Sequence, residues 1–138
     1  MEKVLNCGIF IDIDLIHHIS GANREFEVLF TERDERYIDI KHSDKRARYK
    51  MILKDVWDMR YSIENASLDR FSKMTKAWTE KSSIYLIEDS EYVKYVSHQV
   101  SFTYPTDKLK HYIIVDHTDT TLDVITEKIP VIEKIWDC

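Results

Sequence analysis

Residue types able to hold a metal or move a proton gather most densely near the end of the chain, where His111, Asp116, His117, Asp119 and Asp123 fall within thirteen residues. Imidazole beside carboxylate suits zinc and other first-row cations. The spacing argues against a shared ion, because His111 and His117 would stand about 20 Å apart along one extended strand at ~3.3 Å per residue. Asp116 to Asp123 also span an expected turn, where Asp and Thr bond to local backbone groups. His17 and His18 fail for a different reason, since neighbours on a strand point to opposite faces. No metal site and no cofactor is expected.

Nucleophilic catalysis needs a serine or cysteine with a base within ~3 Å and an oxyanion donor, usually on a glycine-assisted turn. Ser97-His98 and Lys41-His42-Ser43 are neighbours only along the chain. The two glycines, Gly8 and Gly21, cannot build a phosphate-cradling loop, a dinucleotide fingerprint, a nucleophile elbow or a calcium loop. Asp12 and Asp14 would lie about 6–7 Å apart on one strand face, a separation that serves acid and base chemistry. Simple alternation produces the same pair, and they are read as a solvated face or a partner contact.

The most distinctive stretch runs from Val56 to Phe71. Trp57, Met59, Tyr61 and Ile63 share one parity, and Asp58, Arg60 and Glu64 share the other. An apolar row toward the core and an ionic row toward solvent follow, with Asp58 pairing to Arg60. The competing reading is a polar groove of Asp58, Arg60 and Glu64 in a small enzyme or ligand-binding domain. Arg60 would then be the hook for an anion or carboxylate, which its planar fork suits.

The charge is uneven. Twenty Lys and Arg against 25 Asp and Glu leave the chain at −5. Residues 1–23 carry a net −2 and residues 111–138 a net −4, while the middle is nearly balanced. Should the closing hairpin lie beside the first strand, Asp12, Asp14, Asp116, Asp119 and Asp123 would form one negative face suited to a basic protein partner. Lys45, Arg46, Arg48 and Lys50 surround Tyr49 in the manner of a single-strand binder. Their block is close to neutral, and exposed lysines on a strand also protect an edge. Neither nucleic acid nor an anionic membrane is an expected partner.

Several elements must position these residues. Val4 to Ile16 alternates as one strand, followed by turn residues His17 to Asn23. Residues 25–31 and 36–41 read as a hairpin, and residues 47–64 as one long or bent strand with a bulge near Lys54-Asp55-Val56. Leu68, Phe71, Met74 and Trp78 follow a helical period after Ser67. A second helix bears Tyr92, Val93, Val96 and Val100 behind an Asp89 or Ser90 cap. Residues 112–115 and 122–126 form the closing hairpin, and a last piece with Val131, Ile132 and Ile135 follows Pro130. The expected fold is a single α+β domain over residues 1–138, with a mostly antiparallel, curled sheet and one or two helices packed on one face. The longest apolar runs are four residues, far short of a bilayer span, and residues 1–16 lack the pattern of a signal peptide. Cys7 and Cys138 then read as free thiols in the cytoplasm.

The Val56 to Phe71 stretch, taken with Glu88-Asp89-Ser90-Glu91-Tyr92, His111-Tyr112-Ile113-Ile114-Val115-Asp116 and Asp123-Val124-Ile125-Thr126, resembles small uncharacterised bacterial proteins encoded in toxin neighbourhoods, some of which look like immunity proteins. The likeness covers about half the chain, and none of these strings is a catalytic signature, so no residue role is carried over. What it implies is an acidic binding protein that neutralises a basic toxin domain.

Overall fold

The computed structural model describes residues 3–33, 47–62, 82–100, 108–117 and 120–136. Among them the chain forms nine strands and one helix: β1 (Lys3–Asn6), β2 (Ile13–Ala22), β3 (Glu25–Glu32), β4 (Arg48–Leu53), β5 (Val56–Ser62), β6 (Ile84–Glu88), α1 (Glu91–Val100), β7 (Lys110–Val115), β8 (Thr121–Thr126) and β9 (Val131–Trp136). The strands make two open sheets, one ordered β1-β6-β7-β8-β5 and the other β2-β3-β4-β9, with every pair antiparallel. The α+β class and the antiparallel pairing stand. The single curled sheet is replaced by two sheets that share a core.

That core follows from the period of two. Ile13, Val28, Phe30, Met51 and Leu53 from the four-stranded sheet meet Val56, Ile84, Tyr112, Ile114, Leu122 and Val124 from the five-stranded sheet. Each fully buried aliphatic or aromatic side chain here contributes roughly 1.5–3 kcal/mol relative to exposure. The alternate residues of β7 and β8 are buried too, because the other face of the five-stranded sheet is covered. Tyr92, Val93 and Val96 of α1 pack there against Leu109 and Ile125, with Trp57 at the margin. The sequence of β7, Tyr112-Ile113-Ile114-Val115, is accordingly apolar on both faces, as a sheet covered twice requires.

Several boundaries differ from the sequence reading for local backbone reasons. The expected strand from Val4 to Ile16 breaks at Gly8, whose φ is +86°, and residues 7–12 cross from one sheet to the other. Ile9 and Ile11 still pack on the core during the crossing. The residues taken for a turn, His17 to Ala22, continue β2. The turn itself is only Asn23 and Arg24, both at positive φ (54° and 67°), which is the two-residue geometry whose twist matches a hairpin. The long strand expected over 47–64 is two strands in different sheets, divided at Lys54 and Asp55, with Asp55 at φ 53°. In β5 the register slips between Val56 and Asp58. Trp57 therefore leaves the row of Met59 and packs on the helix side, while Met59 stays on the inter-sheet core. Tyr61, expected in the core, is 59% exposed. The expected strand 36–41, the helix over 67–78, and Ile63, Glu64 and Asp119 lie outside the described residues.

The second expected helix forms as α1. Ser90 is its N-cap, its Oγ accepting the Val93 N–H at 3.1 Å. Asp89 and Glu91 hold Lys94 at its first turn, each at 3.1 Å. The closing hairpin forms as β7 and β8, but β6 stands between it and β1.

Candidate functional site

Three polar clusters concentrate the chemistry. The first lies between α1 and the five-stranded sheet. His111 and Asp123 are diagonal neighbours on the helix-facing side, since Ile113 faces Asp123 and His111 faces Ile125 in the β7–β8 register. His111 Nε2 donates to Asp123 Oδ1 at 2.6 Å. The Ser90 hydroxyl, already accepting the helix N–H, donates to His111 Nδ1 at 2.7 Å. These partners fix the tautomer with its proton on Nε2. Tyr92 meets the His111 ring edge-on at 5.3 Å, and its hydroxyl donates to Asp58 Oδ2 at 2.6 Å. Burial, and then the bond to the Asp58 carboxylate, push the Tyr92 phenol well above its ordinary range.

Serine, histidine and aspartate in one hydrogen-bonded chain are the residue types of a hydrolase triad. The orientation is reversed: serine sits on Nδ1 and the carboxylate on Nε2, whereas the triad's base nitrogen is Nε2. Ser90, His111 and Asp123 are 4%, 2% and 1% exposed, and the serine oxygen is engaged by the helix cap. As placed, the chain of bonds ties the start of α1 to β7 and β8.

The second cluster joins the two sheets at the β7–β8 turn. Asp116 Oδ2 accepts the Ile16 N–H at 3.1 Å and Oδ1 accepts the Thr120 N–H at 3.0 Å. The His117 backbone N–H reaches the carbonyls of Ile13 and Asp14, both at 3.2 Å. Its ring contacts Asp12 Oδ1 at 2.5 Å, and Arg33 lies 3.8 Å from Asp14. Asp12, Asp14 and Asp116 are thus brought near one another, around His117.

They do not make the expected acidic face. Asp116 is 3% exposed and its carboxylate is directed to backbone donors. Asp123 is buried under α1, away from this corner. Asp12 meets the His117 ring and Asp14 faces Arg33, and Asp119 is outside the described residues. Among the described residues no group of three or more His, Cys, Asp or Glu side chains is placed to hold a metal ion. None of the helices among them is long and apolar enough to cross a membrane.

The third cluster is the exposed rim of β5 and α1. The Arg60 guanidinium carbon lies 4.0 Å from the Tyr92 ring centroid and 5.6 Å from that of Tyr95. Asp58 and Arg60 share the helix side of β5, as their parity requires, but they do not pair in the expected way: Asp58 accepts from Tyr92. Arg60 faces Asp123 directly in the β5–β8 register, yet that carboxylate accepts from His111. Sequence reading missed Ser90 as a partner of His111, and missed Tyr92 and Tyr95 as the seat of Arg60. A helical cap placed before an apolar strand that contains a lone histidine was the available signal.

The chain matches no protein-family model, no curated protein sequence and no solved structure. The reading of function therefore rests on the geometry.

Proposed function

We propose that the chain is a protein-binding domain, and that its specific role is to neutralise a basic toxin domain. The observation that carries this reading is the rim at the edge of the five-stranded sheet, where exposed Arg60 stands beside Tyr95, 54% exposed, while Tyr61, 59% exposed, lies on the other face of the same edge strand. Tyr and Arg are the residue types that dominate binding energy in protein interfaces, because each offers large, stiff contact area with a polar tip. The net charge of −5 adds long-range steering toward a basic partner without requiring a single acidic patch. The alternative, a small ligand held by Asp58, Arg60 and Glu64, is less favoured, since Asp58 is engaged by Tyr92.

The test is complex formation with the polypeptide encoded by the adjacent reading frame, followed by calorimetry and by rescue of growth when that polypeptide is expressed. A complex tighter than about 10 μM is expected, and Tyr95→Ala should weaken it about tenfold or more. The reading fails if no complex forms at that concentration, or if Tyr95→Ala binds as the parent does.

A further inference from the structure

We infer that Arg60 is the receptor for a single carboxylate, an Asp or Glu side chain of the protein partner. The inference rests on the protein-binding reading and names the chemistry its rim recognises.

An arginine stacked face-on over an aromatic ring keeps its in-plane N–H donors directed away from that ring. The Arg60 guanidinium carbon sits over the Tyr92 ring, 4.0 Å from its centroid, with Tyr95 one helical turn further on, an i,i+3 neighbour on the same helix face. Tyr92 is itself held at both ends: its hydroxyl is bonded to Asp58 and its ring lies edge-on against the buried His111. The guanidinium is therefore seated on a fixed platform, and ordering it on binding costs less than for a free surface arginine.

The nearby acids have other partners. Asp58 Oδ2 accepts from Tyr92 and Asp123 Oδ1 accepts from His111. Among the described residues no carboxylate lies within ion-pair distance of Arg60. An exposed cation held in place beside carboxylates already engaged by Tyr92 and His111 matches an incoming carboxylate through two parallel N–H donors. The same surroundings disfavour a phosphate. Asp58 and Asp123 place negative charge close by, and a dianion would meet more repulsion than a monoanion. Tyr95, 54% exposed, supplies a wall for the methylenes of the incoming side chain. Long-range steering by the chain's net charge and short-range reading of one acid by Arg60 act at different distances, so a basic partner carrying a local Asp or Glu satisfies both.

The test follows the side-chain Nε–Hε resonance of Arg60 by NMR in the full chain. That resonance is assigned by its absence in Arg60→Lys. The probes are the blocked tripeptide Ac-Gly-Glu-Gly-NH2, its Gln counterpart and inorganic phosphate. A saturable shift with the Glu peptide is expected, with binding at least about fivefold weaker for the Gln peptide and for phosphate. Equal shifts with Glu and Gln peptides, no saturable shift, or tighter binding of phosphate would each overturn the assignment. Because the resonance is read in the unmutated chain, a folding defect in the variant does not obscure the result. Because no partner protein is needed, failure here is distinct from failure of the protein-binding reading.

Discussion

The imidazole Nε2 of His111 lies 2.6 Å from the Asp123 carboxylate, with both side chains 2% exposed. This bond and the one from Ser90 to the other ring nitrogen are the polar counterpart of the apolar seam between α1 and the sheet. A buried carboxylate is tolerated there only because its donor is in place. Asp123→Ala removes the acceptor and leaves a buried N–H without a partner, which should cost roughly 3 kcal/mol in urea unfolding. Replacing both members with apolar residues, as in His111→Phe with Asp123→Leu, should recover part of that loss. A double variant less stable than Asp123→Ala would contradict the account.

The legible and illegible parts of the fold separate by what sets them. Strand-like apolar residues in 25–31 located β3, and the β-forming residues of 112–115 and 122–126 located β7 and β8, which are buried on both faces. The cap at Ser90 located α1. What alternation does not encode is a change of sheet. The extended run through Val4 to Ile16 and the run through Tyr49 to Tyr61 keep an unbroken pattern while the backbone turns a corner at Gly8 or Asp55. At Trp57 one extra residue in β5 carries the side chain to the other face, and parity reading cannot detect such a bulge. The acidic site was misread for a related cause: net charge along the chain says nothing of burial, and Asp116 and Asp123 serve backbone and histidine donors inside the protein.

The two glycines should respond differently to a methyl group. A Cβ at Gly21 would stand 2.3 Å from the Glu25 carbonyl oxygen and 2.7 Å from the Phe26 Cα. Both are backbone atoms of the paired strand, so Gly21→Ala must push β2 and β3 apart, costing about 1–3 kcal/mol or more. At Gly8 nothing lies within 4 Å of the added carbon, and only the positive φ of 86° opposes it, at about 1–2 kcal/mol. Urea midpoints should rank the parent above Gly8→Ala and Gly8→Ala above Gly21→Ala. Hydrogen exchange should accelerate at β2–β3 amides only in the second variant. The reverse ranking would show that the hairpin yields more easily than its packing indicates.

Alkaline stability should carry the signature of Tyr92. Burial first, and then the Asp58 carboxylate, raise its phenol above the ordinary 10.0. Burial also raises the Tyr112 phenol from 10.0 and the Cys7 thiol from 9.0. In each case the folded protein holds a proton that the unfolded chain releases. The stability these groups contribute is therefore fully present below the unfolded values and is lost as pH rises toward the folded ones. Decline should begin near pH 9 through Cys7 and steepen above pH 10 through the two tyrosines. Tyr92→Phe should lose about 1 kcal/mol at neutral pH, where the bond to Asp58 is missing. It should then fall less than the parent between pH 8 and pH 11, because one of the protons that couple folding to pH has been removed. Urea midpoints at the two pH values decide the matter. An equal fall in both proteins would mean that the Tyr92 phenol ionises as readily in the fold as in the open chain, and that the Asp58 bond does not hold it.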